Sequence, residues 1–166
     1  MRRKIVRVES LKLMRIRLLQ GALTGLNRIA RKRGRATGPA HLTVGVDGED
    51  AVFFFLLRKG YTVVARRGSS GEVPGDADLI AWQGSVLCFI EVKTRTARDA
   101  TPAEAAVDEH KRNVLRRLAH RYVRQLPQKT PPAVRFDVIS VYLVPGSERA
   151  FQHFEGAFSW DEGRQT

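Results

Sequence analysis

The chain reads as a small α/β domain of three layers, with helices on both faces of a mixed central sheet. Three observations predict this. Segments with helical spacing, at about 48–59 and 109–125, alternate with strand-like runs at 61–65, 77–81, 86–92 and 134–144. Two of those runs are joined by a connection short enough for a hairpin, so the sheet cannot be purely parallel. At 166 residues and 43% hydrophobic, the chain can bury one core of ordinary size.

The elements follow in order. Asp47 can cap a helix from Gly48 to Lys59, and Gly60 can supply its left-handed stop. This helix contains AVFFFLL, apolar all round, which predicts burial. Tyr61–Ala65 is a strand, and Arg66–Gly75 is a loop rich in Gly and Ser. Ala77–Ala81 and Val86–Val92 are strands joined around Gln83–Gly84. Thr101–Pro102–Ala103–Glu104 has the capping-box pattern. A longer helix then spans Glu109–Gln125, with Leu115, Leu118, Tyr122 and Leu126 on its buried stripe. Val134–Val144 is a strand, followed by a short tail. The predicted organisation is a basic extension over 1–40, the folded domain over 41–160 and a tail over 161–166.

The net charge is +12, yet its distribution is uneven. Residues 1–40 hold 12 Lys/Arg and one acid, leaving 17 basic and 16 acidic residues in 41–166. The basic character therefore belongs to the extension, and overall charge is a weak argument for a nucleic-acid partner. In the extension, Leu11, Met14, Leu18, Leu19, Ala22, Leu23, Leu26 and Ile29 recur at helical spacing with arginines between them. Such a basic amphipathic helix can contact a membrane surface, bind phosphates, pack on a partner or remain a loose leader; translation could also start at Met14. A single cysteine, Cys88, excludes a disulfide framework and fits a reducing, cytoplasmic setting. Four scattered histidines offer no zinc-ligand spacing, and no Walker-type phosphate loop is present.

The stretch GDADLIAWQGSVLCFIEVKTR is apolar except at its turn and at Asp76, Asp78, Glu91 and Lys93. Charges in a buried strand pair are costly unless paired or bound to a metal. A turn at Gln83–Gly84 sets Asp78 opposite Phe89 and Asp76 opposite Glu91. All four charged residues then project from one face. Two carboxylates so placed can share a divalent ion, with the Lys93 ammonium beside it to stabilise a developing oxyanion. The competing reading is a buried ion-pair network neutralised by Lys93, which three acids against one lysine disfavours. Glu49 could add a carboxylate from the first turn of its helix, or serve only the helix dipole. Lys111 begins the buried stripe of the long helix and so faces the sheet. Arg112, Arg116, Arg117, Arg121 and Arg124 look like a solvated basic face that could also meet phosphates.

An acid, a hairpin strand and then Glu-x-Lys resembles the PD-(D/E)xK signature of the restriction-endonuclease-like superfamily. Gly48–Glu49, the spacing to Gly60–Tyr61, GDADLIA, FIEVKTR, Lys111, Arg135–Ile139 and His153–Phe158 together resemble the YraN-like family of uncharacterised bacterial proteins. The resemblance covers about residues 44–158. It implies a restriction-endonuclease-like domain related to Holliday-junction resolvases, hydrolysing phosphodiester bonds in nucleic acid, with DNA the first expectation and branched DNA one form it could take. It implies Mg²⁺, with Mn²⁺ as a substitute, and admits a homodimer, since related resolvases are dimers. Asp78 and Glu91 would be metal ligands, Lys93 the catalytic lysine and Glu49 the helix carboxylate near the site. The Val92 carbonyl is a further candidate ligand, Asp76 and Lys111 support the site, and Arg66, Arg67, Arg95, Arg112 and Arg116 are candidate nucleic-acid contacts. The chain departs from the family at Asp76, where glutamate is usual, at Arg67, where asparagine is frequent, and at Ala77 in place of the motif's proline; its Gly68–Gly75 loop is also longer. Two rival readings are a non-catalytic nucleic-acid-binding module and an interaction protein held at a membrane by its basic helix.

Overall fold

A computed structural model describes residues 40–66, 77–97, 107–127 and 130–160, together with Leu18, Gln20 and Gly21. Asp76, Arg67, the Gly68–Gly75 loop, the Thr101–Glu104 capping box, most of the extension and the 161–166 tail lie outside the described residues. The elements are α1 (Ala40–Arg58), β1 (Thr62–Arg66), β2 (Leu79–Gln83), β3 (Val86–Arg95), α2 (Glu109–Gln125), β4 (Ala133–Tyr142) and β5 (Ala150–Phe158). The five strands form one sheet in sequence order. The pair β3–β4 is parallel and the other three are antiparallel, so the sheet is mixed as expected.

Strand alternation sends successive side chains to opposite faces. Leu79, Ala81, Cys88, Ile90, Ile139 and Val141 pack with Ala51, Val52 and Leu56 of α1. Ile80, Leu87, Phe89, Phe136 and Val138 pack with Leu115, Leu118 and Ala119 of α2. One helix therefore covers each face, giving three layers. Each fully buried aliphatic side chain contributes about 1.5–3 kcal/mol, so these two cores hold the layers together.

Three expectations need correction. The first concerns α1, which starts at Ala40 instead of Gly48, so Asp47 lies within the helix and is not its cap. Gly48 serves packing: a Cβ there would run into the Thr94 side chain on β3. Its run AVFFFLL is also not buried all round. Ala51, Val52, Phe54 and Leu56 are buried, while Phe53 and Phe55 are half-buried. Phe55 stacks on Phe151, and Phe53 receives the Arg66 guanidinium. The helix ends as expected at Gly60 (φ +86°), with Gly60 and Tyr61 N–H groups donating to Leu57 and Leu56 carbonyls.

The second correction is to the hairpin. Its two central residues are Gly84 and Ser85, because Gln83 pairs with Val86. Gly84 has φ +60° and, among the described residues, no residue type other than glycine has positive φ, so glycine occupies the first central position of a type II′ turn. The third is β5, a strand where a short tail was expected. Among the described residues of the extension, Gln20 accepts a 2.7 Å hydrogen bond from Arg58 near the end of α1. Among the described residues, no helix is long and apolar enough to cross a membrane.

Candidate active site

The corrected turn moves the hairpin register by two residues. Leu79 faces Ile90, and one step further Asp78 faces Glu91. A shift of two preserves side-chain parity, so Asp78, Glu91 and Lys93 keep a common face and Asp78 and Glu91 come closer than expected. Both are buried, with Asp78 4% and Glu91 5% exposed. The face is the one covered by α2, since Glu91 alternates with Leu87 and Phe89.

The site lies where β2 stops at Leu79 while β3 runs on to Arg95. There the β3 backbone loses its β2 partner but keeps β4, pairing Glu91–Arg95 with Val138–Tyr142. A buried amide needs an acceptor, and Asp78 supplies one: Val92 N–H donates to its Oδ2 at 2.8 Å. A residue's N–H and C=O leave a strand on the same side, so the Val92 carbonyl also points towards Asp78.

Two lysines converge on Glu91. Lys93 Nζ donates to Oε1 at 3.0 Å, and Lys111 Nζ lies 3.0 Å from Oε2. Lys111 is held in the first turn of α2 by its own N–H, which donates to the capping Asp108 side chain at 2.8 Å. The Lys111–Oε2 contact lacks hydrogen-bond geometry, and Oε2 is buried without a hydrogen bond. The expected excess of acid over base is therefore absent from the described part of the site, where two carboxylates meet two ammonium groups.

The donor set fits a hard cation. Two carboxylates, a carbonyl on the same side and one carboxylate oxygen lacking a hydrogen bond suit Mg²⁺ or Mn²⁺, which complete their shell with water and substrate phosphate. Among the described residues, no group of three or more His, Cys, Asp or Glu side chains is arranged to hold a metal by itself.

The other candidates are distributed differently. Glu49 and Asp50 lie on the α1 side, where Asp50 forms an ion pair with Arg66. Burial pulls the Arg66 guanidinium below its usual range, and the Glu49 charge opposes that shift. Glu49 stands in the third turn of its helix, so a role at the helix N-terminal dipole is removed. Arg95 is half-buried, and its carbonyl accepts from Leu143 at 2.8 Å. Arg112 and Arg116 both lie over the Phe158 ring. Arg112 Nε donates to Val107 O, and Arg116, 7% exposed, donates to Ser159 O, Glu109 and Asn113. These two arginines tie α2 to the end of β5 and to Ser159 just beyond it.

A second charged cluster has no counterpart among the sequence-based expectations. Asp137, 1% exposed on β4, accepts from Arg135 at 2.8 and 2.9 Å and from Gly156 N–H at 3.0 Å, with His153 Nε2 at 3.0 Å. Arg135 also donates to Tyr61 Oη at 2.9 Å and pairs with Glu155 at 3.1 Å. Burial works to raise the Asp137 pKa, but the bonds from His153, Arg135 and Gly156 outweigh it and hold the carboxyl below its ordinary value. Burial pushes the Tyr61 hydroxyl up to about 12, against the opposing pull of Arg135. The visible signal was the alternation of Arg135 and Asp137 with charged partners at 153 and 155. Asp137 faces Ile90, so this cluster lies on the α1 side, away from Glu91.

Comparison with known proteins adds a family. The profile of an uncharacterised protein family, UPF0102, matches residues 48–141. A UPF0102 protein of Koribacter versatilis is 52% identical over 105 residues, covering 63% of this chain and 72% of that one. A UPF0102 protein of Symbiobacterium thermophilum is 43% identical over 118 residues, covering 69% and 95%. One from Pelotomaculum thermopropionicum is 34% identical over 120 residues, covering 72% and 98%. The matched span contains Asp78, Glu91, Lys93 and Lys111, and the YraN-like resemblance is in keeping with it. The chain belongs to the uncharacterised protein family UPF0102.

Proposed function

We propose that the protein is a metal-dependent nuclease of restriction-endonuclease-like fold that hydrolyses phosphodiester bonds in nucleic acid, DNA in the first instance. The observation that carries this reading is the opposition of two buried carboxylates, Asp78 and Glu91, at a strand end, with Lys93 on Glu91. Asp78 and Glu91 would hold Mg²⁺, with the Val92 carbonyl as a further oxygen donor. An ion held by these groups would supply a water of lowered pKa and offset charge on the phosphate. Lys93, two residues along the same face, presents an ammonium to the oxyanion that develops during in-line attack. The Val92 amide fixes the Asp78 carboxylate, so one lone-pair direction is already committed before substrate arrives.

The balance of two acids by two lysines supports a second reading, a nucleic-acid-binding module whose charged face is structural. Labelled linear, flapped and four-way DNA, incubated with Mg²⁺ or Mn²⁺, separates the two. Cleavage that falls about 10²–10³-fold in Glu91→Ala and Lys93→Ala is expected of the nuclease. Equal, negligible cleavage by wild type and both variants would sink it. A membrane role rests on residues 1–40 alone; liposome flotation of the full chain against a chain starting at Leu42 tests it.

A further inference from the structure

The outer face of α2 carries a row of cations that the candidate active site does not use. Arg117, Arg121 and Arg124 are exposed, together with His110 and Asn113 on the same stripe. At about 100° per residue, these five positions fall within about 80° of one another around the helix. They lie opposite the buried Leu115 and Ala119. Glu109 is the single acid in α2, and it is engaged by Arg112 and Arg116. Arg117, Arg121 and Arg124 thus repel one another at spacings of four and three residues, which destabilises a helix unless an anion is bound.

We infer that Arg117, Arg121 and Arg124 form a track for the phosphate backbone of a nucleic acid, in place of the inward-turned Arg112 and Arg116. Arg117 to Arg124 spans about 10.5 Å of helix axis. That is comparable with three phosphate-to-phosphate steps along the axis of one duplex strand, at about 3.4 Å each. The row begins about 9 Å along the axis and about 120° around the helix from Lys111, which touches Glu91, so a backbone passing the acids reaches it by crossing the helix. An anionic membrane is the weaker match. Interfacial helices insert an apolar face, and the apolar face of α2 is spent on the core.

The inference rests on the nucleic-acid part of the proposed function and is independent of cleavage. The test uses the full chain in EDTA, with fluorescence anisotropy of labelled duplex and single-stranded DNA across a salt series. Arg117→Gln/Arg121→Gln/Arg124→Gln is expected to bind at least about tenfold more weakly at moderate salt, with the slope of log K against log salt shallower by about 2–3. The triple arginine-to-lysine variant should keep the wild-type slope. An unchanged slope in the glutamine variant overturns the track, as does wild-type protein that ignores both DNAs or prefers anionic vesicles. Because EDTA removes any metal reaction, a protein that binds through the row but never cleaves loses the nuclease reading and keeps this one.

Discussion

Glu91 is a buried carboxylate with a cation on each oxygen. Lys111 occupies the side where a metal would approach Oε2, the oxygen without a hydrogen bond. Removing its charge should have two opposite effects. Lys111→Met is expected to lower metal-free stability by about 1–2 kcal/mol, less than a fully buried pair costs, because Lys93 remains. Mn²⁺ should then raise the melting temperature of the variant more than that of wild type. A variant whose melting temperature ignores Mn²⁺ while wild type responds would make Lys111 part of the binding shell instead of a competitor. At this scale much was legible. Asp78, Glu91 and Lys93 stood out as charges among Leu87, Phe89 and Ile90, and Lys111 opened a buried stripe. The Asp137 network was legible only as the alternation of Arg135 and Asp137 on one strand, since its partners Tyr61, His153 and Gly156 lie far from it along the chain.

At the scale of elements, local signals succeeded where tertiary packing agreed with them. The range Glu109–Gln125 was predicted and observed for α2, because its amphipathic stripe and its packing on the sheet point the same way. Asp47–Gly48 misled for a physical reason. An acid followed by glycine imitates a helix start, yet this glycine lets α1 approach β3 at Thr94. Gly48→Ala should therefore destabilise the fold by about 1–3 kcal/mol despite alanine's better helix propensity. Thr94→Ala in the same chain should recover part of that loss, a coupling visible in a double-mutant cycle of denaturant melts. Additive losses would mean that the close approach is not what constrains residue 48. The hairpin turn was misplaced by one residue, since glycine suits more than one position in a tight turn. The common face survived because the register moved by an even number. The last strand was missed for its composition: an edge strand with Gln152, His153, Glu155 and Gly156 lacks the apolar run of a central one.

Across the whole molecule, the Asp137 cluster links the start of β1, the middle of β4 and the edge strand β5. Its carboxyl is held below the ordinary value, so its contribution is complete above that value and is lost as pH falls through the folded-state pKa. Stability should accordingly drop below about pH 4, the ordinary aspartate range. Asp137→Asn is expected to cost about 3 kcal/mol at neutral pH, where Arg135 would lose its buried partner, and to flatten the acid limb of the stability profile. Urea melts from pH 3 to pH 7 check both; an acid limb as steep as that of wild type would assign acid sensitivity to other carboxylates. A sheet of mixed strand direction and three layers were readable from alternation and from one short connection, whereas the balance of two acids by two lysines in the described part of the site required the fold.

Cys88 is the one cysteine in the chain, fully buried in the central strand β3, and burial pushes its thiol up to about 11. It sits three residues before Glu91 and faces the α1 core, whereas the acids face α2. The molecule thus carries a single chemical handle that stays silent while its middle strand is closed. Reagents that label thiols would count openings of the strand bearing Glu91 and Lys93, with no introduced residue and no change to the charged face.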